Sequence, residues 1–139
     1  MAETKIRAVV RDDAPIELQA ASLDIWDKKY RLKTKQGEPV DKDIHATYQR
    51  VARALADVES AEAGREQWYE RFLWVLEHGA IPAGRIISNA GAQQHKPATS
   101  TINCTVAGIV PDTMDGILHS VHEAGLTLKA GCGIGYEFS

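Results

Sequence analysis

The last third of the chain has the order strand, helix, glycine-rich turn, strand, and this order constrains the fold most. β-Branched residues predict a strand over Ile102–Val110. A second strand is expected over Gly133–Phe138, within and after the glycines of Gly131–Gly135. A single strand–helix–strand unit leaves both edges of its sheet unpaired. The sequence therefore predicts that residues 80–139 are the incomplete start of a larger α/β domain.

Apolar residues at helical spacing predict four helices. One of them starts at Asp112, between the two strands. The other three fall before Ala80 and predict a helical N-terminal domain over 15–79, after a flexible N-terminus at 1–14. Their expected limits are a first helix over roughly 16–32, a second capped by Asp41, and a third capped by Ser60 and stopped at His78-Gly79.

The apolar faces of the three N-terminal helices are expected to build a core. All three tryptophans, Trp26, Trp68 and Trp74, are predicted to pack there. Residues 80–101 lack helical periodicity and are predicted to form a long loop. The apolar stripes are Ile44, Tyr48, Val51, Leu55 and Val58 in the second helix, Trp68, Phe72, Val75 and Leu76 in the third, and Met114, Ile117, Leu118, Val121 and Leu128 in the last.

Composition argues against several classes of function. The net charge of −3 gives no general reason to expect a nucleic acid or an anionic membrane as partner. No apolar run reaches the roughly 18 residues of a membrane span, so no membrane association is expected. The charged N-terminus lacks the apolar core of a signal peptide, and a cytoplasmic location is the expectation.

The two cysteines, Cys104 and Cys132, are the candidate redox groups. They are too few for a disulfide scaffold, and they lack the C-x-x-C pair and the histidine spacing of a structural zinc site. The residues alone leave three alternatives open: a disulfide between the two, a redox thiol at Cys104, or two buried small hydrophobic side chains.

Asp112 and the glycine turn each have two interpretations. Asp112 is either a helix N-cap or a carboxylate that accepts hydrogen bonds from a ribose hydroxyl. The glycines of Gly131–Gly135 either end the helix or let the backbone approach a ligand. They lack the full G-x-G-x-x-G spacing and precede a strand, so they do not predict a dinucleotide site. His119 and His122 fit a solvated helix face better than a metal site.

Several motifs occur in order along the chain and carry a family resemblance. They are PIELQAASLDIWDKKYRLK, then PAGR and SNAG within residues 82–91, STINCTV around Cys104, PDTMDGI, and HEAGLTLKAGCGIGYEFS. With these motifs the chain, from Pro15 onward, resembles the large catalytic subunit of ribonucleotide reductase. The resemblance is greatest to the adenosylcobalamin-dependent branch, class II.

The resemblance implies an α/β fold in which a helical N-terminal domain is followed by the first strands of a ten-stranded α/β barrel, present here as a fragment. The implied reaction reduces ribonucleotides to 2′-deoxyribonucleotides for DNA synthesis. Adenosylcobalamin would generate a thiyl radical, and a redox cysteine pair would supply electrons and be restored by an external dithiol. The implied partners are the C-terminal remainder of the reductase, the ribonucleotide substrate, a dNTP or ATP effector, and a second copy in a homodimer.

The resemblance also assigns roles to individual residues. Ser88 is an alternative to Gly84, which lies where the family has a residue near the substrate phosphates. Cys132 is not the redox partner on this interpretation, and the helix after Asp112 would belong to the dimer interface. The matched positions are Cys104 for the first of the two reducing cysteines, Ser88, Asn103 and Gly133 for substrate contacts, and Asp112 for the ribose of the effector.

Other groups that the family needs for turnover have no counterpart in the sequence. The thiyl cysteine, the second reducing cysteine, the acid–base carboxylate and the later phosphate loop are expected beyond Ser139. The isolated chain is therefore expected to be inactive. The alternatives are a fragment of a class I catalytic subunit, a stand-alone helical interaction module, and a nucleotide-binding regulatory module.

Overall fold

The computed structural model describes residues 14–97 and 100–137, which form a helical domain followed by a small two-stranded parallel sheet. The predictions for residues 1–13 and for Phe138 lie outside the described residues. The elements are α1 (Ala20–Ile25), a π-helical turn (Trp26–Tyr30), α2 (Ile44–Ala56), α3 (Glu62–Glu77), α4 (Gly84–Asn89), β1 (Cys104–Val106), α5 (Met114–Lys129) and β2 (Gly133–Gly135).

The first helix is shorter than the predicted span of roughly 16–32. It starts later because the Ile16 amide donates to the Glu77 carbonyl oxygen at 2.9 Å, which keeps the preceding segment outside the helix. The helix then widens into the π-helical turn. There the half-buried Trp26 donates its indole N–H to Thr47 Oγ1 at 3.0 Å, which anchors the turn on α2.

The N-caps predicted at Asp41 and Ser60 are wrong. Asp43 caps α2, and its Oδ1 accepts a hydrogen bond from the backbone amide three residues further on at 2.8 Å. Asp41 is unable to fill this position because its carboxylate belongs to a buried network described below. The N-cap of α3 is Ala61, whose methyl side chain has no polar atom for capping.

Thr113, rather than Asp112, caps α5. Its Oγ1 accepts a hydrogen bond from the Gly116 amide at 3.1 Å, and Asp112 lies exposed one residue earlier. We expect Thr113→Ala to lower the free energy of unfolding by about 1 kcal/mol through loss of the cap. Asp112→Ala is the matched control and should change it by less than about 0.5 kcal/mol. Urea denaturation followed by circular dichroism measures both, and equal losses would contradict this assignment.

The core of the helical domain lies between α2, α3 and α4. Val51 and Ala52 of α2, Leu76 of α3 and Ala90 after α4 are buried together. The predicted stripe of α2 is confirmed except for Val58, which lies past the helix end and is exposed. The partly buried residues that pack around this core are Tyr48, Ala54, Leu55, Tyr69, Phe72, Leu73, Ile86 and Ile87.

The prediction of a core position is wrong for Trp68 and Trp74, which are 37% and 40% exposed, and for Val75. Trp68 stacks on Phe72 with ring centroids 5.5 Å apart, and Trp74 stacks on His78 at 4.1 Å, so both indoles pack along the surface of α3. The predicted core positions of Phe72 and Leu76 are confirmed. Tyr69 and Leu73, which the predicted stripe lacks, also pack against the core.

Residues 80–101, predicted to be a loop, contain the short helix α4. Its C-terminal carbonyl groups are held from α2, because Arg50 donates through Nη2 to the Ile87 oxygen at 3.0 Å and through Nη1 to the Ala90 oxygen. A helix of six residues gains little stability from its own hydrogen bonds. Contacts from outside the segment therefore favour this helix, and local periodicity does not reveal them.

A buried carboxylate holds Arg50 in place. Asp41 accepts hydrogen bonds from Arg50 Nε at 3.0 Å, Arg50 Nη2 at 2.8 Å, Thr47 Oγ1 at 2.7 Å and the Leu32 amide at 3.1 Å. Burial alone would raise the pKa of Asp41. The hydrogen bonds from Arg50, Thr47 and Leu32 outweigh it, so the pKa lies below its usual value of 3.8.

The lowered pKa of Asp41 predicts a loss of stability in acid. The unfolded chain binds this proton more readily than the folded chain, so the ionised carboxylate contributes its full stability above about pH 5. That contribution is lost as the pH falls through the folded-state pKa. Asp41→Asn should flatten the dependence of the urea midpoint on pH below about pH 5. An acid slope as steep as that of the unchanged chain would contradict the assignment.

The strand–helix–strand order is confirmed, since β1 and β2 are parallel neighbours joined through α5. Cys104–Val106 pairs with Gly133–Gly135 residue by residue. Both strands are shorter than predicted, and in the described part of the chain no third strand pairs with either edge.

None of the helices in residues 14–97 and 100–137 is long and apolar enough to cross a membrane. One face of α5 exposes the apolar residues Met114, Ile117, Leu118, Val121 and Leu128.

Candidate functional site

A polar pocket of about 600 Å³ opens beside α4. Two of the residues predicted to contact substrate, Ser88 and Asn103, share it. Arg85 and Lys96 contribute two cations, and the described lining residues include no carboxylate, so the pocket favours an anionic ligand. The complete lining is Tyr30, Gly84, Arg85, Ser88, Asn89, Lys96 and Asn103.

Cys104 follows Asn103 directly at the start of β1, and its thiol is exposed. Gly133 lies opposite on β2, where a Cβ atom would lie 3.3 Å from Cys104 Sγ. The Gly133 amide donates to the Asn103 carbonyl oxygen at 3.0 Å. The structure thus brings Asn103, Cys104 and Gly133 together, and the missing side chain of the glycine leaves space beside the thiol.

Adding a methyl group at Gly133 is expected to crowd the thiol. Gly133→Ala should lower the free energy of unfolding by about 1 kcal/mol and slow the alkylation of Cys104 by iodoacetamide. Gly135→Ala is the matched control on the same strand, because a Cβ there meets no atom within 4 Å among the described residues. Mass spectrometry of the Cys104 peptide gives the rates. Equal alkylation rates in the two variants would contradict the close approach.

Cys132 is a buried thiol just before β2. It is 6% exposed, and its Sγ donates to the Ile102 carbonyl oxygen at 3.1 Å. Cys104, by contrast, is exposed, and both cysteines are free thiols. The structure therefore contains no Cys104–Cys132 disulfide.

The short helix α4 holds the chain on the way into both strands. Asn89 Nδ2 donates to the Ser100 carbonyl oxygen at 2.8 Å, before β1. Arg85 donates through Nη1 to the Ala130 oxygen at 3.3 Å and through Nη2 to the Gly131 oxygen, before β2. The pocket residues on α4 are thereby fixed relative to Cys104.

Asp112 lies apart from this cluster. It is exposed before α5 and is not among the residues that line the pocket with Ser88 and Asn103. No group of three or more His, Cys, Asp or Glu side chains within residues 14–97 and 100–137 is arranged to hold a metal ion. His119 and His122 therefore have no third ligand of these types beside them in the described part of the chain. The effector role of Asp112 stays a prediction.

Sequence reasoning missed both cations of the pocket, Arg85 and Lys96, as well as Tyr30 and Asn89. Arg85 belongs to the PAGR motif, and Lys96 lies in the segment predicted to be a loop. A usable signal is present for the cations, because residues 80–101 contain both of them and no acidic residue. The role of each cation depends on the fold of α4, which periodicity did not predict.

Comparison with known protein families gives one match. The model of the ribonucleotide reductase all-alpha domain matches residues 16–95, more than half of the chain. A search of curated proteins gave no match. The matched range contains α1 to α4 and most of the pocket lining. The chain therefore carries the all-alpha domain of ribonucleotide reductase, belongs to that family, and corresponds to an N-terminal part of its large subunit.

Proposed function

We propose that this chain supplies part of the substrate site of a ribonucleotide reductase that makes 2′-deoxyribonucleotides for DNA synthesis, with Cys104 as one of two reducing thiols. The observation that carries the proposal is the position of that thiol. It is exposed beside Gly133 and directly follows Asn103, which lines the cationic pocket together with Ser88. A thiol that directly follows a lining residue of a cationic pocket suits the reduction of a phosphorylated sugar.

The charges of the pocket suggest how the substrate would lie. The phosphates would point toward Arg85 and Lys96, whose positive charges raise the local concentration of an anion. The Ser88 hydroxyl and the Asn103 amide offer hydrogen bonds to the phosphate or the ribose. The ribose would then extend toward Cys104 and Gly133.

The overall reaction balances with two thiols. One ribonucleotide and two thiols give one 2′-deoxyribonucleotide, one disulfide and one water, so the 2′ hydroxyl leaves as water and the sulfur atoms lose two electrons. Cys132 is a buried free thiol whose Sγ donates to the Ile102 carbonyl oxygen, and the sequence holds no third cysteine. The second thiol of the pair would therefore come from another part of the reductase, and an external dithiol would restore both.

The source of the radical is proposed from the sequence resemblance. Adenosylcobalamin would supply a carbon-centred radical that generates the thiyl radical of the full enzyme. No described residue is assigned to hold this cofactor. The part played by this chain is to orient the substrate and present the Cys104 thiol.

The proposed regulation involves α5. Asp112 is exposed before this helix and does not cap it, so its carboxylate is available for the ribose hydroxyl of a dNTP or ATP effector. The exposed apolar face of α5, which includes Leu118 and Val121, would pack in a homodimer of the full enzyme. A cytoplasmic location is part of the same proposal.

A reductase assay tests this function. The enzyme that contains this chain is incubated with a ribonucleotide and a dithiol, with and without adenosylcobalamin. Deoxyribonucleotide formation that requires both the chain and adenosylcobalamin supports the proposal. Formation that requires a separate metal-containing subunit instead would favour the class I alternative, and turnover that does not depend on this chain would contradict the function. Deoxynucleotide binding by the isolated chain without any turnover of the assembly would favour a regulatory module.

A further inference from the structure

The guanidinium group of Arg85 joins the helical domain to the end of α5. Arg85 belongs to α4, and it donates through Nη1 to the Ala130 carbonyl oxygen at 3.3 Å and through Nη2 to the Gly131 carbonyl oxygen. These acceptors follow the last residue of α5, where helix carbonyl groups lack partners and a cation is favourable. Arg85 therefore acts as a C-terminal cap supplied from a different part of the chain.

The turn that Arg85 holds requires glycine for its backbone conformation. Gly131 has a φ of +80°, which other residues rarely adopt. A Cβ atom at this position would also meet the guanidinium group of Arg85, which ends a flexible side chain and would have to shift. The guanidinium group therefore lies directly against the turn.

This turn leads directly to the candidate site. Two residues after Gly131, the Gly133 amide donates to the Asn103 carbonyl oxygen at 3.0 Å. Between them, the Cys132 thiol donates to the Ile102 carbonyl oxygen at 3.1 Å. Gly133 is the residue beside Cys104 Sγ. A shift of the turn would move Gly133 relative to the thiol.

Helix α4, which carries Arg85, also holds the segment before β1 on the other side of the candidate site. Asn89, at the end of α4, donates to the Ser100 carbonyl oxygen before β1, while Arg85, at its beginning, holds the turn before β2. Arg50 in turn fixes the C-terminal end of α4 through the Ile87 and Ala90 carbonyl oxygens. Besides the pairing of the two strands, α4 thus supplies a donor at each end that holds the segments leading into them.

We propose that Arg85 is a positioning residue for Cys104: by capping α5 it fixes the glycine turn and sets the distance between Gly133 and the thiol. The importance of this distance for turnover rests on the proposed function. The effect of Arg85 on the position of Gly133 beside the thiol is independent of the proposed function, because it follows from the hydrogen bonds alone.

The test uses the 139-residue chain and two measurements that need no enzymatic activity. Arg85→Ala should raise the amide hydrogen exchange rate of Gly133 about tenfold, as expected when hydrogen bonds from a charged donor are lost and the segment opens locally. It should also speed the alkylation of Cys104 by iodoacetamide, because Gly133 no longer stays beside the sulfur. Arg85→Lys should restore part of both effects, since an ammonium group can still donate to one carbonyl oxygen.

Two matched controls distinguish the positioning effect of Arg85 from two other effects. These are the loss of a positive charge and the loss of any arginine that holds backbone carbonyl groups. Lys96→Ala removes the same charge from the pocket lining without touching the turn. Arg65→Ala removes an arginine that also donates to two backbone carbonyl oxygens, those of Glu59 and Ser60. Neither should change the exchange of Gly133. The urea midpoint, followed by tryptophan fluorescence, shows that each variant is folded.

The outcomes distinguish this inference from the proposed function. Unchanged exchange at Gly133 in Arg85→Ala would overturn the inference, as would increased exchange with an unchanged alkylation rate of Cys104. An equal change in Lys96→Ala would overturn it as well, because charge alone would then account for the effect. If exchange and alkylation respond as expected while Cys104→Ser leaves reductase turnover intact, the positioning role stands and the proposed function falls.

Discussion

Replacing Asp41 with alanine is expected to lower the free energy of unfolding by about 3–5 kcal/mol, the cost of leaving one member of a buried ion pair without its partner. The Asp41 side chain is 3% exposed and that of Arg50 is 11% exposed. The carboxylate accepts hydrogen bonds from Arg50, Thr47 and the Leu32 amide. Without it, a positive charge stays buried and four hydrogen bonds from three residues lose their acceptor.

The effect of Asp41→Ala should reach beyond the segment that precedes α2 and carries this residue. Arg50 also holds the carbonyl groups at the end of α4, so a displaced Arg50 would release that helix and the pocket beside it. A typical domain of this size is stable by only about 5–15 kcal/mol. The variant is therefore expected to be partly unfolded at 37 °C or close to it.

Urea denaturation followed by tryptophan fluorescence measures this loss, since Trp26 donates to Thr47 within the same network. Asp57→Ala is the matched control, because Asp57 forms an exposed ion pair with Arg53 at 3.6 Å. An exposed pair contributes at most about 1 kcal/mol, and the control should stay within that range. Losses of similar size in both variants would show that the Asp41–Arg50 pair does not stabilise the fold.

The second large effect is expected from Cys104→Ser in the assembled reductase. Serine is close to cysteine in size but cannot form a disulfide, so the variant should fold normally and lose multiple turnover. Product formation with excess dithiol, measured by chromatography of the nucleotides, reports the loss. This result is expected because the Cys104 thiol is exposed, faces the space left by Gly133, and directly follows Asn103 of the pocket.

Cys132→Ser is the matched control for Cys104→Ser. The Cys132 thiol is buried and donates to the Ile102 carbonyl oxygen, and a serine hydroxyl can make the same hydrogen bond. Turnover should therefore persist in this variant. Loss of turnover in Cys132→Ser with full turnover in Cys104→Ser would exchange the roles of the two cysteines and contradict the proposed site.

Regular periodicity in the sequence was sufficient to predict the long helices and the order of the sheet. Apolar residues at helical spacing located α2, α3 and α5, and the stop after α3 is confirmed by Gly79, whose φ is +96°. The same pattern misplaced Trp68 and Trp74. A repeat shows which side of a helix is apolar, but it does not show how wide the buried part of that side is. The N-caps were missed by one or two residues, since Asp41 is used by Arg50 rather than by α2.

The parts that sequence reasoning missed depend on contacts between distant residues. Helix α4 has no apolar repeat of its own, and it is held by Arg50 at one end and linked through Arg85 to Gly131 at the other. Ser88 and Asn103 were proposed from a family resemblance, and the structure places both at one pocket. The residues alone give no reason to bring them together, because residues 89–102 separate Ser88, which lies in α4, from Asn103.

The central claim is that Cys104 donates electrons to the substrate, and the oxidation state of this sulfur after turnover tests it most directly. The assembled reductase is reduced, freed of external dithiol, given substrate for a limited number of turnovers, and then alkylated and mapped by mass spectrometry. We predict that Cys104 is found in a disulfide in an amount equal to the deoxyribonucleotide formed, while Cys132 is alkylated as a free thiol. Deoxyribonucleotide formation with Cys104 still fully alkylated would contradict the account.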